Sequence, residues 1–271
     1  MTDAGAAFRA LHVPGEPFVL ANAWDRGSAM MLAGLGARAI ATSSAAHAFT
    51  LGRPDGGTLG RDEALAHAAD LVDAVNVPVQ GDFENGFGAD PETCAETVRL
   101  AAEAGLAGIC IEDIDLPGET PYPFDLAVER MRAAASAARA LPRDFVLTAR
   151  ADGVMLGQYD VDEAIRRLSA FAGAGCDCLY APVLPDLDAV ARLAREVPGP
   201  VNVLVAGAMT RHTLAEFAGA GVARLSLGSS LARVTHAAIL DAGREMFGTG
   251  RFEALGGAAP GGIVDGFLTP E

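Results

Sequence analysis

The chain has 271 residues, of which 51% are hydrophobic, so it can bury a sizeable core in one large domain or two small ones. Its formal net charge of -15 at pH 7 argues against a nucleic-acid partner, which needs a basic face, and against an anionic membrane surface. The first residues, Met1 to Leu11, contain no basic segment followed by a long apolar one. We therefore expect a cytoplasmic protein without a membrane partner.

Short runs typical of buried strands alternate with Ala-rich helical stretches along the whole chain. The predicted strands are Phe18–Asn22, Ala39–Thr42, Val77–Asp82, Gly108–Glu112, Phe145–Arg150, Cys178–Ala181, Val201–Val205 and Arg224–Leu227. The predicted helices include Arg61–Val75, Pro91–Ala104, Asp125–Ala140, Val161–Ala172, Asp186–Glu196 and Thr210–Ala218. This alternation indicates parallel βαβ units. Eight units without a long linker predict a closed (β/α)₈ barrel of the TIM type, in a single domain over residues 1–271.

Two acids follow the third predicted strand. Residues i and i+2 of a strand point to the same side, so Asp82 and Glu84 would project together beside a glycine-rich turn. Carboxylate oxygens with several waters are what Mg²⁺ prefers. Asp82 alone could equally cap the turn, since Asx residues favour turns. The pair, together with Glu112 at the end of the fourth strand, favours a metal site held by Asp82, Glu84 and Glu112.

The other strand ends supply polar groups for the same face, because chemistry in such barrels lies at the C-terminal ends of the strands. Arg150 suits a bidentate carboxylate or a developing oxyanion, although it could also form a structural ion pair with Glu112 or Asp152. Further candidate contacts to a small anionic substrate with a carbonyl group are Trp24, Ser43, the backbone N–H groups of Ser44 and Ala45, and Asn202.

Several residues near these strand ends have simpler interpretations. Trp24 could pack in the core instead of forming a substrate wall. Asp113 should point away from Glu112, and we expect it to be solvated. None of His47, His67, His212 and His236 is expected to act as a metal ligand or a base.

Five phrases in chain order resemble the isocitrate lyase / phosphoenolpyruvate mutase superfamily, over a stretch from about Phe8 to about Gly248. The phrases are Asn22–Asp25, Gly52–Asp55 (similar to a G-x-P-D loop), Asp82–Gly88 (similar to D-x-D-T-G-[FY]-G), Ile111–Asp113 (I-E-D) and Thr148–Asp152 (A-R-x-D).

The resemblance implies a (β/α)₈ barrel, a Mg²⁺ ion, and substrates that are 2-oxo acids, their enols or 2-hydroxy dicarboxylates. It implies that bonds to carbon form or break through an enolate, and that Asp55 lies near the metal shell and supports its waters. It also implies a homo-oligomer, a dimer or a tetramer, in which a C-terminal helix is exchanged. The candidate for that helix is Ser230–Phe247, within a C-terminal segment of residues 230–271.

The chain also departs from the family pattern. The metal motif has Glu84 and Asn85 where the family has Asp and Thr. The lyases carry K-[KR]-C-G-H after I-E-D, whereas Ile114–Tyr122 contains no Cys, Lys or His, and a mutase-like P-K-x-N-S loop is missing too. Pro182 stands at the sixth strand end, where the lyases place Glu and the mutases His. The usual proton carriers are therefore absent.

These patterns favour a Mg²⁺-dependent lyase or decarboxylase that acts on a small 2-oxo acid or dicarboxylate, with Arg150 stabilising the enolate and Asp55 assisting. Tyr122 and Glu119 are candidates for the acid or base. One alternative is a phosphonopyruvate-type mutase or hydrolase. Another is a barrel that binds a 2-oxo acid and a metal without turnover.

Overall fold

Eight parallel strands form a closed barrel in the computed structural model, which describes residues 3–269. Residues 1–2 and 270–271, the ends of the predicted 1–271 domain, lie outside the described residues. The strands are β1 (Phe18–Asn22), β2 (Ile40–Ala41), β3 (Val79–Asp82), β4 (Gly108–Glu112), β5 (Ile114–Asp115), β6 (Thr120–Pro121), β7 (Val146–Arg150), β8 (Cys178–Tyr180), β9 (Val201–Leu204) and β10 (Arg224–Ser226). The barrel order β1-β10-β9-β8-β7-β4-β3-β2 confirms the predicted TIM barrel, while β5 and β6 pair as a separate antiparallel hairpin.

The helices follow the strands as the alternation predicts. They are α1 (Ala4–Ala10), α2 (Arg26–Gly34), α3 (Ser44–Thr50), α4 (Arg61–Ala74), α5 (Pro91–Glu103), α6 (Phe124–Arg139), α7 (Val161–Ala174), α8 (Leu187–Glu196), α9 (Leu214–Gly219), α10 (Ser230–Thr249) and α11 (Gly261–Leu268). The predicted helix Thr210–Ala218 is wrong in its bounds, because a 3₁₀ turn at Gly207–Arg211 comes first. Thr213 then caps α9 by accepting from the N–H of Glu216.

A buried arginine fills the interior of the barrel near the starts of its strands. Arg224 is 1% exposed, and its guanidinium donates to Gln80 Oε1 at 2.7 Å and to Asn202 Oδ1 at 2.9 Å. The same group lies 3.1 Å from His12 Nε2. Since buried polar groups need partners, this network satisfies Arg224 without a carboxylate.

Strand register places the ends of β4 and β7 side by side. Glu112 pairs with Arg150 across the two parallel strands, and Arg150 pairs in turn with Tyr180 of β8. Because parallel strands bring their carboxyl ends to one edge, side chains that are 38 residues apart in the sequence come together at the mouth of the barrel.

The C-terminal helices lie outside the barrel. Ala232 is the buried residue of α10, whereas Val234, Ile239 and Phe247 are 64%, 67% and 89% exposed. Helix α11 packs on α2, where a Cβ added at Gly34 would lie 2.6 Å from Phe267 Cδ1. Among residues 3–269, none of the helices combines the length and apolar character that a membrane crossing requires.

We predict opposite effects for two Gly→Ala substitutions. At Gly108 an added Cβ would lie 2.2 Å from the carbonyl oxygen of Val146 on β7, so the substitution should force β4 and β7 apart. A loss of about 1–3 kcal/mol in the free energy of unfolding is expected. At Gly173 of α7 nothing lies within 4 Å, and Gly173→Ala should stabilise by about 0.5–1 kcal/mol. Urea unfolding measures both; a neutral Gly108→Ala would contradict the strand packing.

Candidate active site

An ion-pair network holds Arg150 at the mouth of the barrel. Its Nη1 lies 2.9 Å from Glu112 Oε1 in an ion pair, and its Nε donates to Asp152 Oδ1 at 2.5 Å. The side chains of Arg150, Glu112 and Asp152 are only 16%, 7% and 0% exposed. The structural ion pair considered from the sequence is therefore present. It fixes the guanidinium at the end of β7, ready to contact an anion with its remaining donors.

Asp82 and Glu84 are brought to the same region, but not by strand periodicity. Strand β3 ends at Asp82, and Glu84 follows in a turn with a left-handed φ of 45°. The prediction that the two side chains project from the same side of one continuous strand is therefore wrong. Asp82 Oδ2 accepts from both the N–H and the hydroxyl of Ser44 at 2.9 Å, whereas Glu84 Oε1 accepts from Gly57 N–H at 3.1 Å.

Arg130 of α6 secures the turn that carries Glu84. It is fully buried and donates to the carbonyl oxygens of Asn85, Gly88 (3.2 Å) and Glu112 (3.1 Å), with its guanidinium 4.1 Å from the centre of the Tyr122 ring. Sequence reasoning missed this residue. The available signal was an arginine on the apolar face of α6, three residues after buried Ala127 and one before buried Met131.

A small cavity of about 90 Å³ opens between these side chains and two loops. It is lined by Ser44, Asp55, Gly56, Glu84, Glu112, Ile114, Leu116, Glu119, Arg150, Asp152, Met155 and Leu156. Arg150 also lines a second cavity of about 40 Å³ inside the barrel, where Asp82 and Asn202 are found. Arg150 thus lines both cavities, Asp82 lines the inner one, and Glu84 and Glu112 line the other.

The acids of the site carry shifted pKa values. Burial raises the pKa of Glu84 to about 7 and that of Asp152 to about 6, and burial raises the pKa of Glu112 well above its usual value. Burial and the nearby Asp82 raise the pKa of Asp55 as well. So many carboxylates around one arginine are a poorly compensated negative charge, which a divalent cation would offset.

The acids of the site are oxygen donors that do not form a closed metal cage. In residues 3–269 no group of three or more His, Cys, Asp or Glu side chains is close enough to hold an ion directly. All the acids present are oxygen donors, however, and Mg²⁺ usually keeps several waters between itself and carboxylates. The residues present are therefore of the chemical type that suits a cation bound through water, and they do not enclose one directly.

The two serines after β2 have different roles: Ser43 caps a helix, and Ser44 contacts the site. Ser43 Oγ accepts from Ala46 N–H and caps α3, which also contains buried Ala45. Ser44 reaches the cavity and holds Asp82. Of the predicted substrate contacts, Ser44 and Arg150 line the cavity, whereas Ser43 and Ala45 lie behind it.

Asn202 and Trp24 are not brought into the cavity. Asn202 accepts from Arg224 and donates to Ser226 Oγ at 2.8 Å, so its amide is occupied in the barrel interior. Trp24 is half-buried, and its carbonyl oxygen lies 3.0 Å from His67 Nε2. The ring of His67 stacks on that of His47, with centroids 3.7 Å apart and planes at 7°.

The expectation that Asp113 is solvated is wrong. The residue is fully buried instead of solvated, because α7 and the loop before it bring donors to the side of β4 away from Glu112. Its carboxylate accepts from Asp152 N–H at 2.9 Å, Tyr159 Oη at 2.8 Å and Arg167 Nη1 at 3.1 Å. This second ion pair supports the backbone of Asp152, and through it the first network.

The large apolar loop residues that line the cavity were also missed. Leu116 belongs to the β5–β6 hairpin, and Met155 and Leu156 belong to the loop after β7. No periodic pattern marks them, since they lie in irregular segments. Their position after β4 and β7 was the available signal.

Comparison with known proteins gives consistent matches over most of the chain. A family model described as "Phosphoenolpyruvate phosphomutase" matches residues 8–247. An uncharacterized protein of Mycobacterium tuberculosis (strain ATCC 25618 / H37Rv) is 36% identical over 82% of both chains. The 2-methylisocitrate lyase of Escherichia coli (strain K12) is 30% identical over 81% of this chain and 76% of its own. A crystal structure from Burkholderia cenocepacia J2315 superposes with a TM-score of 0.93 at 46% identity, covering 98% of this chain and 96% of that one.

The stacked histidines beside Trp24 generate a pH prediction. Burial lowers the pKa of His67 from 6.5 to about 4. Below pH 6.5 His67 therefore binds a proton in the unfolded chain but stays neutral in the folded protein. The free energy of unfolding should fall as the pH drops toward 4. His67→Gln keeps a donor but cannot ionise. Its loss of stability between pH 7 and pH 5 should be smaller than that of the wild type by on the order of 1–2 kcal/mol.

Urea unfolding at the two pH values measures the difference. His12, whose pKa burial lowers to about 3, contributes in the same direction in both proteins and cancels in the comparison. Identical pH profiles would show that His67 is protonated as easily in the folded protein as in the unfolded chain.

Proposed function

The chain belongs to the phosphoenolpyruvate phosphomutase family, within the isocitrate lyase / phosphoenolpyruvate mutase superfamily, and on that premise we propose a Mg²⁺-dependent lyase that acts on a small 2-oxo acid or related dicarboxylate. The reaction is C–C bond cleavage or decarboxylation through an enolate. The observation that carries this proposal is the fixed guanidinium of Arg150 among the acids Asp55, Glu84 and Glu112 at one small cavity.

Arg150 is suited to a negative charge that develops during the reaction. Two carboxylates already hold its Nε and Nη1, so the guanidinium needs no rearrangement when a substrate oxygen becomes anionic. Fixed donors of this kind stabilise a transition state more than they stabilise the ground state. Loss of CO₂ or cleavage of a C–C bond leaves an electron pair that the enolate oxygen must accommodate, and Arg150 would contact that oxygen.

Asp82, Glu84 and Glu112 would hold Mg²⁺ partly through water, with Asp55 accepting from those waters. When bound, the ion would supply a Lewis acid for the carboxylate and carbonyl oxygens of a 2-oxo acid. Hydrogen bonds hold two of these carboxylates in position: Ser44 donates to Asp82, and the N–H of Gly57 donates to Glu84. Ser44 thus acts in the site through Asp82, and its own amide is not free for a substrate carboxylate.

Glu119 is the better placed of the two candidate proton carriers. It is exposed on the β5–β6 hairpin, lines the cavity, and its Oε1 lies 3.7 Å from where a Cβ at Gly56 would stand. Tyr122 is buried, accepts from Asn85 Nδ2 and donates to Asp115 Oδ1, so its hydroxyl is engaged away from the cavity. We assign Glu119 the transfer of a proton to or from the enolate carbon.

The description of the matched family model favours a second candidate, a mutase or hydrolase acting on a P–C bond. The same cavity could hold phosphonopyruvate only if its phosphonate found a cationic partner. The hairpin Ile114–Pro121 offers Asp115 and Glu119 instead, which makes this candidate the weaker one. Release of phosphate or formation of phosphoenolpyruvate from phosphonopyruvate would favour it over the lyase.

We predict that Asp82→Ala lowers Mg²⁺-dependent turnover by at least about 100-fold, because it removes the acid that Ser44 orients. Turnover would be assayed on a panel of 2-oxo acids and 2-hydroxy dicarboxylates, with and without a chelator. Asp73→Ala is the matched control, since Asp73 is exposed at the far end of α4. Full Mg²⁺-dependent turnover and 2-oxo acid binding in Asp82→Ala would refute the proposed site.

The exposed apolar side chains of α10 support a homo-oligomer, a dimer or a tetramer. Val234, Ile239, Leu240 and Phe247 are each more than half exposed on one helix, and a soluble monomer rarely leaves so much apolar surface uncovered. A second copy of the chain would cover these side chains, in line with the helix exchange that the family resemblance implies for the segment 230–271.

We predict that light scattering gives a mass that is a multiple of the single-chain mass, and that Ile239→Glu raises the dissociation constant roughly tenfold or more. Leu35→Glu is the matched control, because Leu35 is 70% exposed and Ile239 67%, but Leu35 lies at the end of α2. A monomeric wild type, or equal effects of the two substitutions, would contradict α10 as the interface.

A further inference from the structure

We propose that the substrate carries a single carboxylate, next to its 2-oxo group, and an apolar group at its other end in place of a second carboxylate. The inference rests on the proposed function and narrows its substrate class. It comes from the composition of the 90 Å³ cavity, whose lining residues include five acids, one arginine and four large apolar side chains.

Positive charge is scarce around the cavity. Arg150 is the single cationic side chain among its lining residues, whereas Asp55, Glu84, Glu112, Glu119 and Asp152 are acidic. Two of the guanidinium nitrogens already serve Glu112 and Asp152. The free donors of Arg150 and the proposed metal suffice for one carboxylate and the adjacent oxygen. A second carboxylate would lie among acids without a cationic partner, and an unpaired buried charge is strongly unfavourable.

Four large apolar side chains also line the cavity. Ile114 and Leu116 come from the β5–β6 hairpin, and Met155 and Leu156 come from the loop after β7. The hairpin is held down on the Asp55–Gly57 turn, where a Cβ added at Gly57 would lie 3.2 Å from Leu116 Cβ. The second loop is closed by the N–H of Leu156, which donates to the carbonyl of Asp152 at 3.1 Å. Side chains of this kind suit an alkyl group, because its transfer out of water is favourable.

The size of the cavity limits that alkyl group. Its volume of about 90 Å³ is far below the several hundred Å³ of pockets that take drug-sized ligands. The substrate that we propose therefore has few heavy atoms beyond its 2-oxo acid portion.

Matched pairs of ligands test the proposal in the presence of Mg²⁺. Oxaloacetate and 2-oxobutyrate share a four-carbon chain, and 2-oxoglutarate and 2-oxopentanoate share five carbons, so each pair differs in the terminal carboxylate. Calorimetry should show that each monocarboxylate binds at least about tenfold more tightly than its partner. Tighter binding of the dicarboxylates would overturn this inference and leave the proposed function standing. Binding of none of the four would overturn both.

A substitution that adds a positive charge to the cavity provides a second test of the proposal. Met155 is 37% exposed, so Met155→Lys should fold, and its ammonium would give a terminal carboxylate a partner. The ratio of affinities should shift toward oxaloacetate by about tenfold or more relative to the wild type. Leu35→Lys adds the same charge at an exposed site at the end of α2 and should leave the ratio unchanged. An unchanged ratio in Met155→Lys would contradict the proposal that the far end of the substrate lies beside Met155.

Discussion

The mouth of the barrel depends on one largely buried arginine that is held between two carboxylates. One carboxylate ends the neighbouring strand, and the other follows the arginine just beyond the end of its own strand. Arg150 and Glu112 are level because β4 and β7 pair in register, and Asp152 follows two residues after Arg150. Removing one partner of a buried ion pair typically costs about 3–5 kcal/mol, because the other charge is left unpaired. The same arrangement that makes this network necessary for stability keeps the guanidinium in place for an anionic ligand.

Surrounding contacts give this network its geometry. Asp113 receives three donors and supports the backbone of Asp152, while Arg130 ties the turn after Glu84 to the end of β4. Both groups are fully buried, so their partners were selected by the packing of α6 and α7 against the barrel. Glu84, Glu112 and Asp152 therefore sit on a rigid frame, and the hairpin and the loop after β7 complete the cavity around them, as loops on a rigid scaffold often do.

The sequence was sufficient for the fold and for predicting that most of the candidate side chains come together at one end of the barrel. Alternating strands and helices predict the barrel, and the strand-end rule selects Arg150, Glu112 and Asp82, because parallel strands must bring their ends together. It failed where a residue lies beyond regular structure. Glu84 follows the end of β3 with a left-handed φ, so strand periodicity does not describe it. The burial of Asp113 depends on Arg167 and Tyr159, which come from 54 and 46 residues further along the chain, and no local pattern reveals those contacts.

The central claim is that Arg150 and the acids around it stabilise the enolate of a 2-oxo acid. Exchange of the C3 protons of 2-oxobutyrate for deuterium, followed by proton NMR, measures enolate formation directly and does not require the complete reaction to be known. With Mg²⁺ the protein should accelerate this exchange, and a chelator or Arg150→Lys should reduce it by at least about tenfold. Exchange no faster than in buffer, or unchanged in Arg150→Lys, would contradict the account.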